Sequence, residues 1–147
     1  MVVETMMQVL KILLALGLLL PISLSAAEVE ISNPWVKESI PGTENGAGYF
    51  TITNTGSSVI SIVGATTAAS RAVEVHQHVM RDGMMRMRRV PELTLEPSAT
   101  VVFQPGGYHL MLFGVKNAFK PGDQVEFTLQ FSDGDSVSFD AEVRSIR

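Results

Sequence analysis

The sequence predicts an all-β domain, a sandwich or small barrel of short strands. Three observations predict it. Apolar and polar residues alternate with period two along several runs, and turn-forming Gly dipeptides separate those runs. No segment repeats its apolar residues with the 3.6-residue helical period. The chain has 147 residues, 46% hydrophobic and 18% charged, which suits one domain behind a short leader.

The elements follow in chain order. Residues 12–20 read Ile-Leu-Leu-Ala-Leu-Gly-Leu-Leu-Leu after Lys11, then pass Pro21 to a small-residue exit at Ala27. A basic start, an apolar run and Ser25 and Ala27 at the −3 and −1 positions predict a cleaved signal peptide over 1–27. The run is shorter than the ~20 residues that span a bilayer. The domain is then 28–147, not membrane-embedded, and working in the periplasm.

A first strand fits 29–36, with Trp35 read as a buried sandwich aromatic. Phe50 and Ile52 alternate with Tyr49, Thr51 and Thr53. Further strands fit 59–65, 72–80, 84–90, 99–104 and 108–112. Val125, Phe127, Leu129 and Phe131 alternate with polar residues, as do Val137, Phe139, Ala141 and Val143. Asp82-Gly83 marks a hairpin, and Asp133-Gly134 reads as a two-residue turn with positive φ at both positions. Pro121-Gly122 fits a type II turn, and Pro41-Gly42 and Pro105-Gly106-Gly107 punctuate likewise.

Composition removes several functions. The formal net charge is −4, so no basic surplus exists to neutralise nucleic-acid phosphates. There is no cysteine. That excludes disulfide scaffolds, thiolate zinc sites, blue-copper centres, iron–sulfur clusters and cysteine nucleophiles, and a lipid attached through an N-terminal cysteine. No serine sits in a nucleophile elbow, no Gly-rich loop has phosphate-cradle spacing, and no carboxylates pair for acid–base work. Asp82, Asp133 and Asp135 belong to turns. Arg81, Arg86, Arg88 and Arg89 form the densest basic run, a solvated face that can steer an acidic partner. The expected protein is a monomer and not an enzyme.

The chemistry is concentrated in one segment. All three histidines, His76, His78 and His109, lie between 76 and 111, together with Met80, Met84, Met85, Met87 and Met111. Thioether and imidazole donors without thiolate suit Cu(I). Strand alternation puts Glu74, His76, His78 and Met80 on one face, Met85 and Met87 on another, and His109 and Met111 on a third. Met84 falls opposite Met85 and Met87 and reads as core filler. Met80 stands between core filler and auxiliary ligand, and His78 between auxiliary ligand and bystander.

Ten residues separate His76 from Met87, 21 separate Met87 from His109, and one separates His109 from Met111. This H-x10-M-x21-H-x-M spacing resembles the copper motif of the periplasmic copper chaperone family PCuAC. Asn33-Pro34-Trp35, Gly46-Ala47-Gly48-Tyr49, Asn54-Thr55-Gly56, Val73-Glu74-Val75-His76, Met85-Arg86-Met87 and Pro105-Gly106-Gly107-Tyr108-His109-Leu110-Met111 resemble that family too. The resemblance implies a cupredoxin-like Greek-key β-sandwich. It implies one Cu(I) held by His76, Met87, His109 and Met111, with His78, Met85 and Met80 as auxiliary candidates. It also implies delivery to a copper-accepting protein, such as the CuA subunit of cytochrome c oxidase or another copper chaperone. A sequestering or resistance protein would use the same site, and a non-metal interaction sandwich would not use it. Relatives often carry a His- and Met-rich tail for Cu(II), and this sequence has no His or Met after Met111.

Overall fold

The computed structural model describes residues 27–146. The expected leader over 1–27 lies outside them except for Ala27. Ten strands run in order: β1 (Val29–Lys37), β2 (Asn45–Asn54), β3 (Ile60–Thr66), β4 (Ser70–Arg81), β5 (Met84–Arg89), β6 (Leu93–Leu95), β7 (Thr100–Val102), β8 (Tyr108–Val115), β9 (Gln124–Phe131) and β10 (Ser136–Arg144). No helix occurs among the described residues. The all-β class therefore stands, and its layers are joined. The ladder runs β4-β8-β2-β1-β10-β9-β3 and returns to β4 through Ala65 and Val73, so the sheet closes into a barrel. Closure leaves few free edges.

Alternation builds the core. Val125, Phe127, Leu129 and Phe131 point inward from β9, Phe50 and Ile52 from β2, and Leu110 and Leu112 from β8, all buried. Gly48 faces this core, where a Cβ would come within 3.2 Å of the Phe127 ring. The missing side chain is the space that Phe127 fills.

The turns behave as their chemistry requires, with one difference. Asp82 and Gly83 both have positive φ (53° and 73°) and close the two-residue β4–β5 hairpin. At Lys120-Pro121-Gly122-Asp123 the Asp123 N–H donates to the Lys120 carbonyl with Gly122 at φ 93°, the expected type II turn. Asp133-Gly134 is not a two-residue turn. Only Gly134 has positive φ, its N–H donates to the Phe131 carbonyl, and four residues separate β9 from β10. Asp133 instead keeps a negative φ and accepts the Asp135 N–H on its carboxylate.

Trp35 corrects its sequence reading. Asn33 adopts φ 49°, and the β1–β2 register slips between Ser32 and Trp35. A bulge of this kind exchanges the two faces of a strand. Val36 thereby enters the core with no exposed surface, and Trp35 turns to the outer face. There it packs on Tyr49 at 4.5 Å between centroids, with the Arg144 guanidinium 5.8 Å from its ring centroid.

Candidate metal centre

The site forms on the outer face of the barrel, where β8, β4 and β5 lie side by side. Val73 and Val75 of β4 and Leu110 and Leu112 of β8 are drawn inward by burial. Their neighbours must then point outward together. The registers fix which ones meet. His76 lies opposite His109, and Glu74 opposite Met111, across β4–β8. His78 lies opposite Met87, and Met80 opposite Met85, across β4–β5. Met87 and Met111 are each diagonal to His76, within reach of long side chains. The four residues with motif spacing thus share one patch, with His76 at its centre.

Depth changes across the patch. His109 is 3% exposed, the His76 side chain 13%, and Met87 45%. The His78 ring stacks on His109 at 5.0 Å, and the His76 and His109 rings are 5.9 Å apart.

Hydrogen bonds select the tautomers. A carboxylate only accepts, so His76 donates from Nε2 to Glu74 Oε2 at 2.8 Å. His109 donates from Nδ1 to the Gly107 carbonyl at 3.2 Å. Each neutral ring then carries its lone pair on the other nitrogen. Those atoms, His76 Nδ1 and His109 Nε2, are buried and have no hydrogen-bond partner, as is His78 Nδ1. A buried polar atom without a partner is costly, so three in one patch require an explanation. Histidines that bind metal through one nitrogen are oriented in this way through the other.

Burial holds the His109 imidazole below the ordinary histidine range. The Gly107 carbonyl opposes this, while His78, His76 and Lys37 add to it by charge repulsion. The ring therefore stays neutral, the form that binds metal. Among the described residues, no three His, Cys, Asp or Glu side chains converge as a metal site by themselves. The sulfur atoms carried on the same face are those of Met87 and Met111.

One expectation is corrected. Met84 is not core filler but 53% exposed, because every residue of β5 is exposed and no second layer covers that strand. Both faces of β5 meet solvent, so it has no apolar side opposite its methionines. Met80 and Met85 are exposed near the hairpin turn, beyond the histidines. Glu74 is the partner of His76 that sequence pattern did not single out. Its place two residues before His76 on one strand face was the available signal. Its second oxygen lies 3.6 Å from Arg89 Nε, so the carboxylate links β4 to β5.

Comparisons with known proteins agree with this architecture. The model of the LpqE-like family matches residues 29–143. Lxx21020 of Leifsonia xyli subsp. xyli, named as a lipoprotein, is 34% identical over 107 residues, covering 72% of this chain and 63% of that protein. A second relative, RP573 of Rickettsia prowazekii, is 29% identical over 111 residues, or 73% of this chain and 61% of its own. The chain thus spans about three fifths of the curated relatives it matches. Among solved structures, the copper-bound PCuAC domain from PmoF2 superposes with a TM-score of 0.69 at 24% identity, over 82% of this chain and 96% of that one. At that identity it speaks for the fold alone. DR1885 of Deinococcus radiodurans in its CuI form superposes at 0.63 with 29% identity, over 83% and 81% of the two chains.

Proposed function

The chain belongs to the LpqE-like family, and from that premise we propose that it is an extracytoplasmic copper chaperone, holding one Cu(I) and passing it on. One observation carries the reading. Two imidazole lone pairs, each fixed by a hydrogen bond on its far nitrogen, are buried without partners on the same face as two thioether residues. His76 Nδ1, His109 Nε2 and the sulfurs of Met87 and Met111 make an uncharged, soft donor set that favours Cu(I) over Cu(II). The CuI form of DR1885 at 29% identity supports the same cargo.

The gradient of exposure suits transfer. His109 anchors the site beneath the surface, and Met87 reaches solvent. Thioethers release metal more readily than thiolates and do not form disulfides in an oxidising compartment, although they oxidise to sulfoxides. Met85 and Met80 lie along the exposed side as auxiliary donors on the exit path, and His78, half-buried against His109, is the auxiliary donor between them and the site. The work is binding and hand-over rather than catalysis. The recipient is a copper-accepting protein such as the CuA subunit of cytochrome c oxidase or another chaperone, met in the periplasm.

An anaerobic competition titration of the protein tests this. The expected result is one equivalent of Cu(I), and no intense blue absorption with Cu(II), since no thiolate is present. Zero Cu(I) stoichiometry, or an intense blue protein, ends the proposal.

Glu74→Gln tests the hydrogen bond behind the site. The amide keeps the shape but loses the charge that fixes the Nε2–H tautomer of His76. Replacing such a partner costs about 10–100-fold in metal affinity. The same competition assay reads it, and an unchanged affinity would reduce Glu74 to a partner of Arg89.

A further inference from the structure

We propose that strand β5 is the edge on which an extended, acidic segment of the copper recipient docks by strand addition; this role rests on the copper-carrier reading. β5 ends the ladder, pairing with β4 alone, and all six of its residues are exposed. A two-residue turn with positive φ at both positions makes Arg81 and Met84 the hydrogen-bonded pair that closes the hairpin. The phase then repeats every second residue. Arg86 and Arg88 bond to Val79 and Gln77, and the Val90 N–H donates to the Val75 carbonyl at 2.8 Å in the same phase. Met85, Met87 and Arg89 therefore aim their backbone N–H and C=O groups at the free edge. These are the residues whose side chains share a face with His76, His78 and Met80.

An added strand would bond to those three residues and alternate its own side chains across the two faces. One set would stand beside Met85 and Met87, and the other beside Met84, Arg86 and Arg88.

Charge selects the occupant. Arg81, Arg86, Arg88 and Arg89 fall within nine residues of a chain whose net charge is −4. Arg81 meets Asp82 at 4.0 Å in solvent, and Arg89 lies 3.6 Å from Glu74. Arg86 and Arg88 form no ion pair among the described residues. The same charges discourage a second copy of this edge, which would bring arginine against arginine. A recipient segment that fits has carboxylates at alternate positions facing Arg86 and Arg88. At the intervening positions it has soft donors beside Met87. Cu(I) then changes ligands without changing oxidation state: the bond to the Met87 sulfur breaks as the recipient's donor bonds, and the ion stays monovalent throughout.

The test uses the apo protein and an eight-residue peptide alternating Glu with Thr, with a Lys–Thr peptide as its counterpart. By NMR, the Glu–Thr peptide should shift the Met85, Met87 and Arg89 amides, slow their hydrogen exchange, and bind more weakly as salt rises. The Lys–Thr peptide should do none of this. The Arg86→Glu/Arg88→Glu double variant should lose about tenfold or more affinity for the Glu–Thr peptide and gain it for the Lys–Thr peptide. Its Cu(I) affinity should stay unchanged, and Arg86→Gln/Arg88→Gln should fall between. A Glu–Met peptide should draw Cu(I) from the wild type faster than from the charge-reversed variant. Binding away from β5, binding indifferent to charge, or edge-to-edge dimerisation as the sole effect would overturn the proposal. If Cu(I) binds normally and the Glu–Thr peptide leaves the β5 amides unmoved, docking alone fails. If no Cu(I) site exists, the carrier reading itself fails.

Discussion

Alanine at position 109 is expected to lower Cu(I) affinity by roughly 100-fold or more, beyond the loss typical of a group that only supports a ligand. His109 is the deepest donor of the patch, and its Nε2 has no protein partner to lose. The substitution therefore strips a donor from the metal while removing an unsatisfied buried atom from the fold. The two effects separate cleanly. The apo variant loses the ring that stacks on His78 and its Nδ1–H bond to the Gly107 carbonyl, but no inward-facing side chain of β8, so its stability should change by only about 1 kcal/mol. Met87→Ala should also weaken binding strongly, with still less effect on stability, since Met87 is half in solvent. Met84→Leu is the control. An exposed side chain on the opposite face of β5 should leave both affinity and stability within about 0.5 kcal/mol of wild type. Thermal melts of the apo proteins beside Cu(I) competition would check all three. A folded His109→Ala protein with near-normal affinity would remove His109 from the site.

The parts of this molecule that sequence reveals are those that repeat with a simple period. Leu110 and Leu112 must be inside, so His109 and Met111 must be outside, and the same reasoning places His76 opposite Val75. The Asp82-Gly83 turn makes β4 and β5 adjacent, because its conformation leaves few alternatives. Where the period breaks, the reading breaks with it. The bulge at Asn33 shifts the phase of β1 by one and turns Trp35 outward, a slip that local composition does not announce. Met84 reads as core filler only if every strand has a buried face, and an edge strand beyond the closed ring has none. Leu93–Leu95 is too short for alternation to show, and Pro91 and Pro97 frame it. The expected site residues do share a face, yet the roles of Glu74 and the Gly107 carbonyl depend on which ring nitrogen each meets. Spacing carries no information on that point.

Acid should release the copper, with a steepness that counts histidines. A thioether has no proton to exchange in this range, whereas an imidazole must be neutral to bind metal, and its ordinary pKa is about 6.5. At low pH each copper bound should displace up to two protons, one each from His76 and His109. Log affinity should then fall toward two decades per pH unit, a limit set by proton linkage. Burial delays the contribution of His109, whose folded pKa lies below the ordinary value. The steep limb should therefore begin below about pH 6.5, the unperturbed value. The same depression makes the apo fold pH-sensitive, and the sign can be checked. Below about pH 6.5 the unfolded chain accepts a proton at position 109 that the folded chain refuses, so apo stability falls as pH drops through the folded pKa. Above that range the contribution is flat. Measuring Cu(I) affinity from about pH 5 to 8 against a chelator corrected for its own protonation, alongside apo melts, keeps the two effects apart. His109→Ala should halve the limiting slope to one. His78→Ala should leave the profile nearly unchanged if His78 is an auxiliary donor on the exit path. A wild-type slope near three that falls to two in His78→Ala would place that ring among the ligands. A flat wild-type profile would mean that no histidine binds the metal, and the site on this face would have to be abandoned.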